Sequence, residues 1–230
     1  METGTSRTSV PTAELCERYR RLYMPAVCDA VYELGLPELV LPTHLRPLLP
    51  EQRMVGVAYT VEGRDIRPPV SWDEGIGRMQ SYLRMFEELP ADSVLVSATP
   101  DGRVGHFGEL TANAARARGC VGCVLEGNLR DIAGLRDIDF QVFYRDVSPR
   151  NGIGRWEMVS SREPVTIGEV TVRTGDVVFG EFDGILVIPA EHAVDVLVKA
   201  EEVVSAEGSV RDEVRDGTAP WTSFERHGHI

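Results

Sequence analysis

No run of 18 apolar residues occurs in the sequence, so no membrane-spanning helix is expected. The opening stretch, METGTSRTSVPTAEL, lacks the apolar segment of a secretory leader, and a cytoplasmic location is expected. Positive charge is in deficit: 24 Lys and Arg face 36 Asp and Glu, a formal net charge of −12. That balance argues against a nucleic-acid backbone or an anionic membrane as partner. It does not exclude a small anionic substrate, because one local Arg can outweigh the global field. Cysteine is scarce, at four residues: Cys16, Cys28, Cys120 and Cys123. Cys120-Val-Gly-Cys123 has CxxC spacing, yet it opens an apolar run and has no second Cys/His pair at zinc spacing. Buried, reduced strand thiols are the expected reading. Internal repeats, low-complexity runs and linkers are missing too, which leaves one domain over residues 13–230 behind a disordered tail at 1–12.

What is present is an alternation of element types. TAELCERYRRLYMPAVCDAVYELG has helical periodicity, with Pro25 dividing it into two helices and Gly35 ending the second. VGVAYTVEG reads as a strand, SWDEGIGRMQSYLRMFEEL as a helix, and SVLVSAT as a β-branched strand. FGELTANAARARG then supplies a small-residue helix closed by Gly119, CVGCVLEG a strand, RDIAGLRDI a short helix and FQVFYRD a short strand. This β-α-β-α-β order predicts crossover helices and a largely parallel core sheet in an α/β fold. The last third, EPVTIGEVTVRTGDVVFGEFDGILVIP, reads as short strands in β-hairpins. A long helix follows, weakened in its middle by Gly208.

In a parallel sheet, ligands gather beyond the carboxyl ends of the strands. Two strand-to-helix turns qualify, GHFGEL after SVLVSAT and EGNLRD after CVGCVL, with Glu126-Gly127 read as the turn that ends the second strand. Arg130 offers a planar, permanently charged fork for a carboxylate, and Asp131 a hard oxygen ligand for Mg²⁺ or Mn²⁺. Free N–H groups at the start of the helix at Glu109 can hold a second anionic oxygen, and Glu109 itself can move a proton. Together these suit enolate chemistry on a 2-oxo acid. Bland readings stand beside them. An Arg-Asp pair at a helix start is commonly a surface feature, and Glu109 fits a first-turn acid favoured by the helix dipole. His106 is expected to face solvent, and His192, His227 and His229 form no ligand spacing.

The segment GELTANAARARGCVGCVLEGNLRD resembles the core of the RraA-like family, which includes 4-hydroxy-4-methyl-2-oxoglutarate and 4-carboxy-4-hydroxy-2-oxoadipate aldolases. The chain supplies Gly108-Glu109-Leu110, Arg118-Gly119, Glu126-Gly127 and Arg130-Asp131 in the family's order, with Glu109 and Asp131 22 residues apart. Similar stretches extend over about residues 14–217, including VCDAVYELGL, VFYRDVSPRNG and VTVRTGDVVFGEFDGILVIPAEHA. The resemblance implies a layered α/β/α swivelling-type sandwich with C-terminal β-hairpins plus helix, assembled as a homotrimer or homohexamer. It implies Asp131 as the direct metal ligand, Arg130 as the substrate-binding cation, and amides around Gly108, Leu110 and Thr111 at the pyruvyl end. Glu109 would stand beside the metal's waters, and Glu207, with Glu202 as its alternate, would approach from a neighbouring subunit. The implied activity is a divalent-metal-dependent (class II) lyase that cleaves a 4-hydroxy-2-oxo acid to pyruvate and a second oxo compound, with oxaloacetate decarboxylation as a side reaction. The alternative is a non-catalytic protein-binding regulator resembling the family's RNase E inhibitors. A quinone-precursor methyltransferase ranks below both, since no Gly-rich nucleotide loop runs into an acidic strand end. Two departures are visible: Glu126 replaces the family's Asp, which places a longer side chain near the site. The segment RDIRPPVSWDEGIGRMQSYLRMFEELPAD is also long, which is expected to reshape the substrate entrance.

Overall fold

The computed structural model describes residues 12–99 and 103–227. Of the tail expected at 1–12, all but Thr12 lies outside the described residues, and Thr12 is the first residue of a helix. Helices α1 (Thr12–Arg20) and α2 (Met24–Glu33) are separated by residues 21–23, just ahead of Pro25, which sits in the first turn of α2. There its missing N–H has no intrahelical acceptor to lose. Gly35 follows the end of α2 at φ 65°, the left-handed region that closes helices.

The remaining elements run β1 (Leu39–Val40), β2 (Arg46–Pro47), β3 (Met54–Asp65), α3 (Trp72–Met85), β4 (Ser93–Ala98), β5 (Gly105–Phe107), α4 (Glu109–Ala117), β6 (Gly122–Leu129), α5 (Ile132–Asp137) and β7 (Val142–Val147). They continue with β8 (Trp156–Ser161), β9 (Val165–Ile167), β10 (Val170–Val172), β11 (Val177–Glu181), β12 (Gly184–Ile188), α6 (Ala193–Arg215) and α7 (Pro220–His227). The centre of the sheet is parallel, in the order β3-β4-β6-β7. Antiparallel strands β11, β12 and β1 extend it past β3, and β2 caps β7. The expected hairpins are β9–β10, a separate two-stranded sheet, and β11–β12.

Three apolar clusters hold the layers together. One joins α3, α4 and α5 to the sheet through Tyr82, Phe86, Ala112, Ala115, Leu125 and Leu135. A second packs α1, α2 and α6 on β11 and β12 through Tyr19, Val27, Phe179, Leu186, Val196 and Leu197. The third buries Val94, Val96, Val124 and Phe143 under the β9–β10 hairpin. Each large aliphatic or aromatic side chain so buried contributes about 1.5–3 kcal/mol. The CxxC thiols are free and buried, as expected of strand residues.

Several expectations need correction. Strand β6 does not end at Glu126-Gly127 but runs on to Leu129. Gly127 is required by a close approach and not by a turn, since a Cβ there would lie 2.3 Å from Thr99 Oγ1 and 2.9 Å from His106 Nδ1. The pairing with β7 shifts between Leu125 and Asn128, the irregularity that absorbs this crowding. The long helix expected at the end of the chain is present as α6, which runs through Gly208. Its burial of Val196, Leu197, Ala200 and Val210 outweighs the roughly 1 kcal/mol cost of an internal glycine. Strands β5 and β8 and helix α7 were not legible as elements.

Candidate functional site

Strand β6 ends in Arg130 and Asp131, and the short β5 carries the chain into α4 at Gly108-Glu109. The two turns meet because β5 pairs in parallel with the end of β6, Phe107 opposite Leu129. The Arg130 N–H donates to Phe107 O at 2.9 Å. Glycine makes the approach closer still. A Cβ at Gly108 would lie 2.5 Å from Asp131 Oδ2 and 2.8 Å from Arg130 Cγ. A Cβ at Gly105 would lie 2.7 Å from Ser148 O and 2.9 Å from Arg130 Cβ. On the far side, a Cβ at Gly134 in α5 would lie 2.3 Å from Glu109 Oε2. The Glu109 carboxylate is therefore seated against the first turn of α5, three residues beyond Asp131.

Asp131 adopts φ 56°, ψ 41° and makes no capping hydrogen bond to α5. Asp is among the few residues that tolerate this left-handed conformation, which costs other side chains about 1–2 kcal/mol. Its carboxylate accepts a hydrogen bond from Arg130 Nε at 3.2 Å. Arg130 Nη1 and Nη2 carry no hydrogen bond among the described residues. At the start of α4, the first N–H bonded within the helix is that of Ala112, to Gly108 O. The N–H groups of Glu109, Leu110 and Thr111 thus have no intrahelical acceptor. The Gly108 N–H differs, being held by Thr111 Oγ1 at 3.0 Å.

Gly108, Leu110, Thr111, Arg130 and Asp131 border a cavity of about 370 Å³. Its opposite wall is α3, through Ile76, Met79 and Leu83, together with Asn151 and Ile153. The α3 residues follow a helical spacing and come from the long segment expected to reshape the entrance; that segment forms one wall of the cavity. Ser71 fixes the start of α3 by accepting a hydrogen bond from the Glu74 N–H at 3.3 Å.

His106 is not solvent-facing. It is buried, its Nδ1 accepts the Asn128 N–H at 3.1 Å, and its ring meets Trp156 edge to face at 5.7 Å. Burial pulls its pKa down from 6.5 to about 4, so the ring is neutral near pH 7. β5 was invisible in the sequence, and with it the pairing that draws His106 inward. Glu126 also points elsewhere than expected. By strand alternation it lies on the Val124 face of β6, away from α4, where it contacts His44 Nε2 at 2.9 Å and Arg145 Nη1 at 3.4 Å. The longer side chain therefore does not border the cavity.

Glu207 sits on α6, where Tyr23 and Arg211 both donate to its Oε2. Glu202 lies near Lys199 at 3.9 Å. Neither borders the Arg130–Asp131 cavity within the chain. No group of three or more His, Cys, Asp or Glu forms a metal cage among the described residues. Glu109, packed against Gly134, does not border the cavity, so the carboxylate that does is Asp131, which offers oxygen donors only. That donor set fits Mg²⁺, which keeps several waters and needs one or two protein carboxylates.

These features define a mixed α/β protein with a cavity where two parallel strands run into their helices. The chain belongs to the RraA-like family, whose model, described as Aldolase/RraA, matches residues 24–187. A relative from Halalkalibacterium halodurans, named "Putative 4-hydroxy-4-methyl-2-oxoglutarate aldolase", is 28% identical over 183 residues, covering 78% of this chain and 79% of that one. A solved chain described among novel cellulases from gut-associated microbes is 29% identical with TM-score 0.81, covering 89% of this chain and 90% of that one. Streptomyces coelicolor RraAS2, described as an unusual member of the RNase ES inhibitor RraA family, has TM-score 0.76 at 21% identity, covering 89% of this chain and 98% of that one. The last likeness speaks to fold. At family level, the relatives' names support a lyase-type enzyme. No helix among the described residues is long and apolar enough to cross a membrane.

Proposed function

We propose that this protein is a divalent-metal-dependent lyase acting on 4-hydroxy-2-oxo acids and releasing pyruvate. The observation that carries the reading is the Gly108 contact, which brings a helix N-terminus, a guanidinium and a carboxylate into one cavity. Arg130 grips the 2-oxo acid carboxylate through its two unengaged nitrogens. The N–H groups of Leu110 and Thr111 hold the other anionic oxygens at the pyruvyl end. Asp131 would hold the ion directly, with Glu109 beside its waters; a bound Mg²⁺ or Mn²⁺ supplies Lewis-acid stabilisation of negative charge on the 2-oxo group.

The reaction is a retro-aldol cleavage. The 4-hydroxyl loses its proton, C4 becomes a carbonyl, and the C3–C4 bonding pair moves to C3 as the enolate of pyruvate. Protonation at C3 completes pyruvate, with no net redox change. The proton passes from the 4-hydroxyl to C3 by way of water, and Glu109, which does not border the cavity, acts by polarising that water and not by direct contact with the substrate. Oxaloacetate loses carbon dioxide through the same enolate. Glu207, held within its own chain by Tyr23 and Arg211, joins the cleft only across a subunit contact. A homotrimer or homohexamer with the cleft near its interface is therefore part of the proposal, with Glu202 as the alternate carboxylate.

A second reading, a protein-binding regulator, draws on the −12 net charge, which suits a basic partner. One assay separates the two: pyruvate release from oxaloacetate with and without Mg²⁺. Metal-dependent release that Asp131→Ala abolishes supports the lyase. Absence of release from any 2-oxo acid favours the regulator.

A further inference from the structure

Three side chains on three strands converge behind the cavity wall at His106, and each carries a buried polar atom that makes no hydrogen bond: Asp65 Oδ1 on β3, His106 Nε2 on β5 and Trp156 Nε1 on β8. We propose that these atoms form a binding site for one water molecule, which joins β3, β5 and β8 through a single shared centre.

Their convergence follows from strand pairing. Asp65 stands directly opposite Trp156 in the antiparallel β3–β8 ladder, which puts both side chains on one face of the sheet. Gly63, two residues back on that face, lets the indole lie against β3, since a Cβ there would be 2.4 Å from Trp156 Nε1. The His106 ring meets the same indole edge to face, with centroids 5.7 Å apart. The Asp65 charge also reaches His106, where it opposes the burial that lowers the ring's pKa.

The chemistry of the three atoms selects the occupant. His106 Nδ1 accepts the Asn128 N–H, so the neutral ring carries its proton on Nε2 and donates there. Trp156 Nε1 can only donate. Asp65 Oδ2 accepts from Arg67 Nε and Nη2 at 2.9 and 2.7 Å, which leaves Oδ1 as the acceptor of the set. Two donors and one acceptor complement a water, whose oxygen takes both N–H groups while one O–H goes to the carboxylate. Three hydrogen bonds are the usual complement of a buried water. A cation would meet two N–H groups, and an anion would meet the Asp65 carboxylate, so neither fits. Leaving the three atoms unpaired would forfeit their hydration without return. The water gives the three-residue β5 a tie to β3 and β8 beyond its pairing with β6, and it fixes His106 as the Nε2–H tautomer.

The test is a crystal structure of the full-length wild-type protein at a resolution that orders solvent. Expected is a water peak about 2.7–3.2 Å from His106 Nε2 and from Trp156 Nε1, and about 2.5–3.0 Å from Asp65 Oδ1. A direct hydrogen bond from either N–H to Asp65, or no solvent bonded to all three atoms, overturns the proposal. A solution measurement stands beside it: water-to-indole cross-peaks in a rotating-frame NOE experiment on protein labelled with ¹⁵N-tryptophan. The chain has three Trp, and Trp72 and Trp221 are 58% and 66% exposed against 2% for Trp156. The two exposed indoles should show peaks of the sign given by exchange with bulk water. Trp156 should show the opposite, dipolar sign of a bound water, in the signal that Trp156→Phe deletes. A Trp156 indole without a dipolar water peak overturns the proposal as well.

Discussion

Replacing Gly108 with Ala is the sharpest probe of the site. Gly108 has φ −157° and ψ −169°, extended backbone open to any residue, so the substitution imposes no conformational strain. Its effect comes through contact alone. The new methyl would sit 2.5 Å from Asp131 Oδ2 and 2.8 Å from Arg130 Cγ. Ordinary separations lie near 3.5 Å, so the pair must retreat by roughly 1 Å. Overpacking costs about 1–3 kcal/mol in a rigid core. Here both side chains are more than one-third exposed and can yield, which favours the lower end. For a domain of this size, about 1 kcal/mol lowers Tm by roughly 2–4 °C. Catalysis is less forgiving, since a 1 Å misplacement of a positioning group costs about a hundredfold in rate. The assay pairs pyruvate release from oxaloacetate with a thermal melt. Expected is a fall in kcat/KM of about a hundredfold in a protein that melts within a few degrees of wild type. Wild-type activity from a folded Gly108→Ala protein would refute the claim that this junction is the reacting centre.

Asp131→Asn keeps the size and the tolerance for φ 56° while removing the charge, so the melt should hold while Mg²⁺-dependent pyruvate release falls by about a hundredfold or more. Arg130→Lys keeps the charge but loses the planar fork; KM for oxaloacetate should rise by about tenfold or more, with a smaller change in kcat. His106 supplies a pH prediction whose sign follows from its lowered pKa. The unfolded ring takes up a proton near pH 6.5 and the folded one only near pH 4, so stability is full above 6.5 and is lost as pH falls between them. The shift corresponds to about 3 kcal/mol, and a urea midpoint followed from pH 7 to 4 should decline less in His106→Gln.

How much of this was legible depended on whether the cause was local. Pro25, Gly35 and Gly119 punctuate helices by their own backbone restrictions, and their boundaries were readable without a fold. The apolar runs of β4 and β6 are buried on both faces, as strands at the centre of a parallel sheet must be. Gly127 looked like a turn because Glu-Gly commonly is one. Its true reason is Thr99 and His106, which come from other segments and cannot be seen from position 127. β5 has three residues, too few for a period, and exists because the end of β6 offers it an edge. His106 and Glu126 were misread for the same cause: the side to which each points is fixed by pairing partners distant in sequence. The family motif singled out Arg130, Asp131 and Glu109 as candidates, whereas the place of α3 on the cavity is set by its packing on β8 and could not be read from its own residues.

The division between these two kinds of information has a chemical consequence. Arg130, Asp131 and Glu109 are fixed by backbone-to-side-chain contacts at Gly105, Gly108 and Gly134, where any added carbon collides with the group it positions. Such a junction has little freedom to change, because each glycine leaves no room for a side chain of its own. Ile76, Met79 and Leu83 face it from a helix whose outward side chains are partly exposed and meet no comparable constraint. Substitution there alters what the cavity accepts while the reacting groups stay in register. On the proposed lyase reading, the C–C bond chemistry would belong to the β5–α4 and β6–α5 junctions, and substrate choice to α3. Variants at Leu83 should change relative kcat/KM among substrates, whereas variants at Gly108 should depress all of them together.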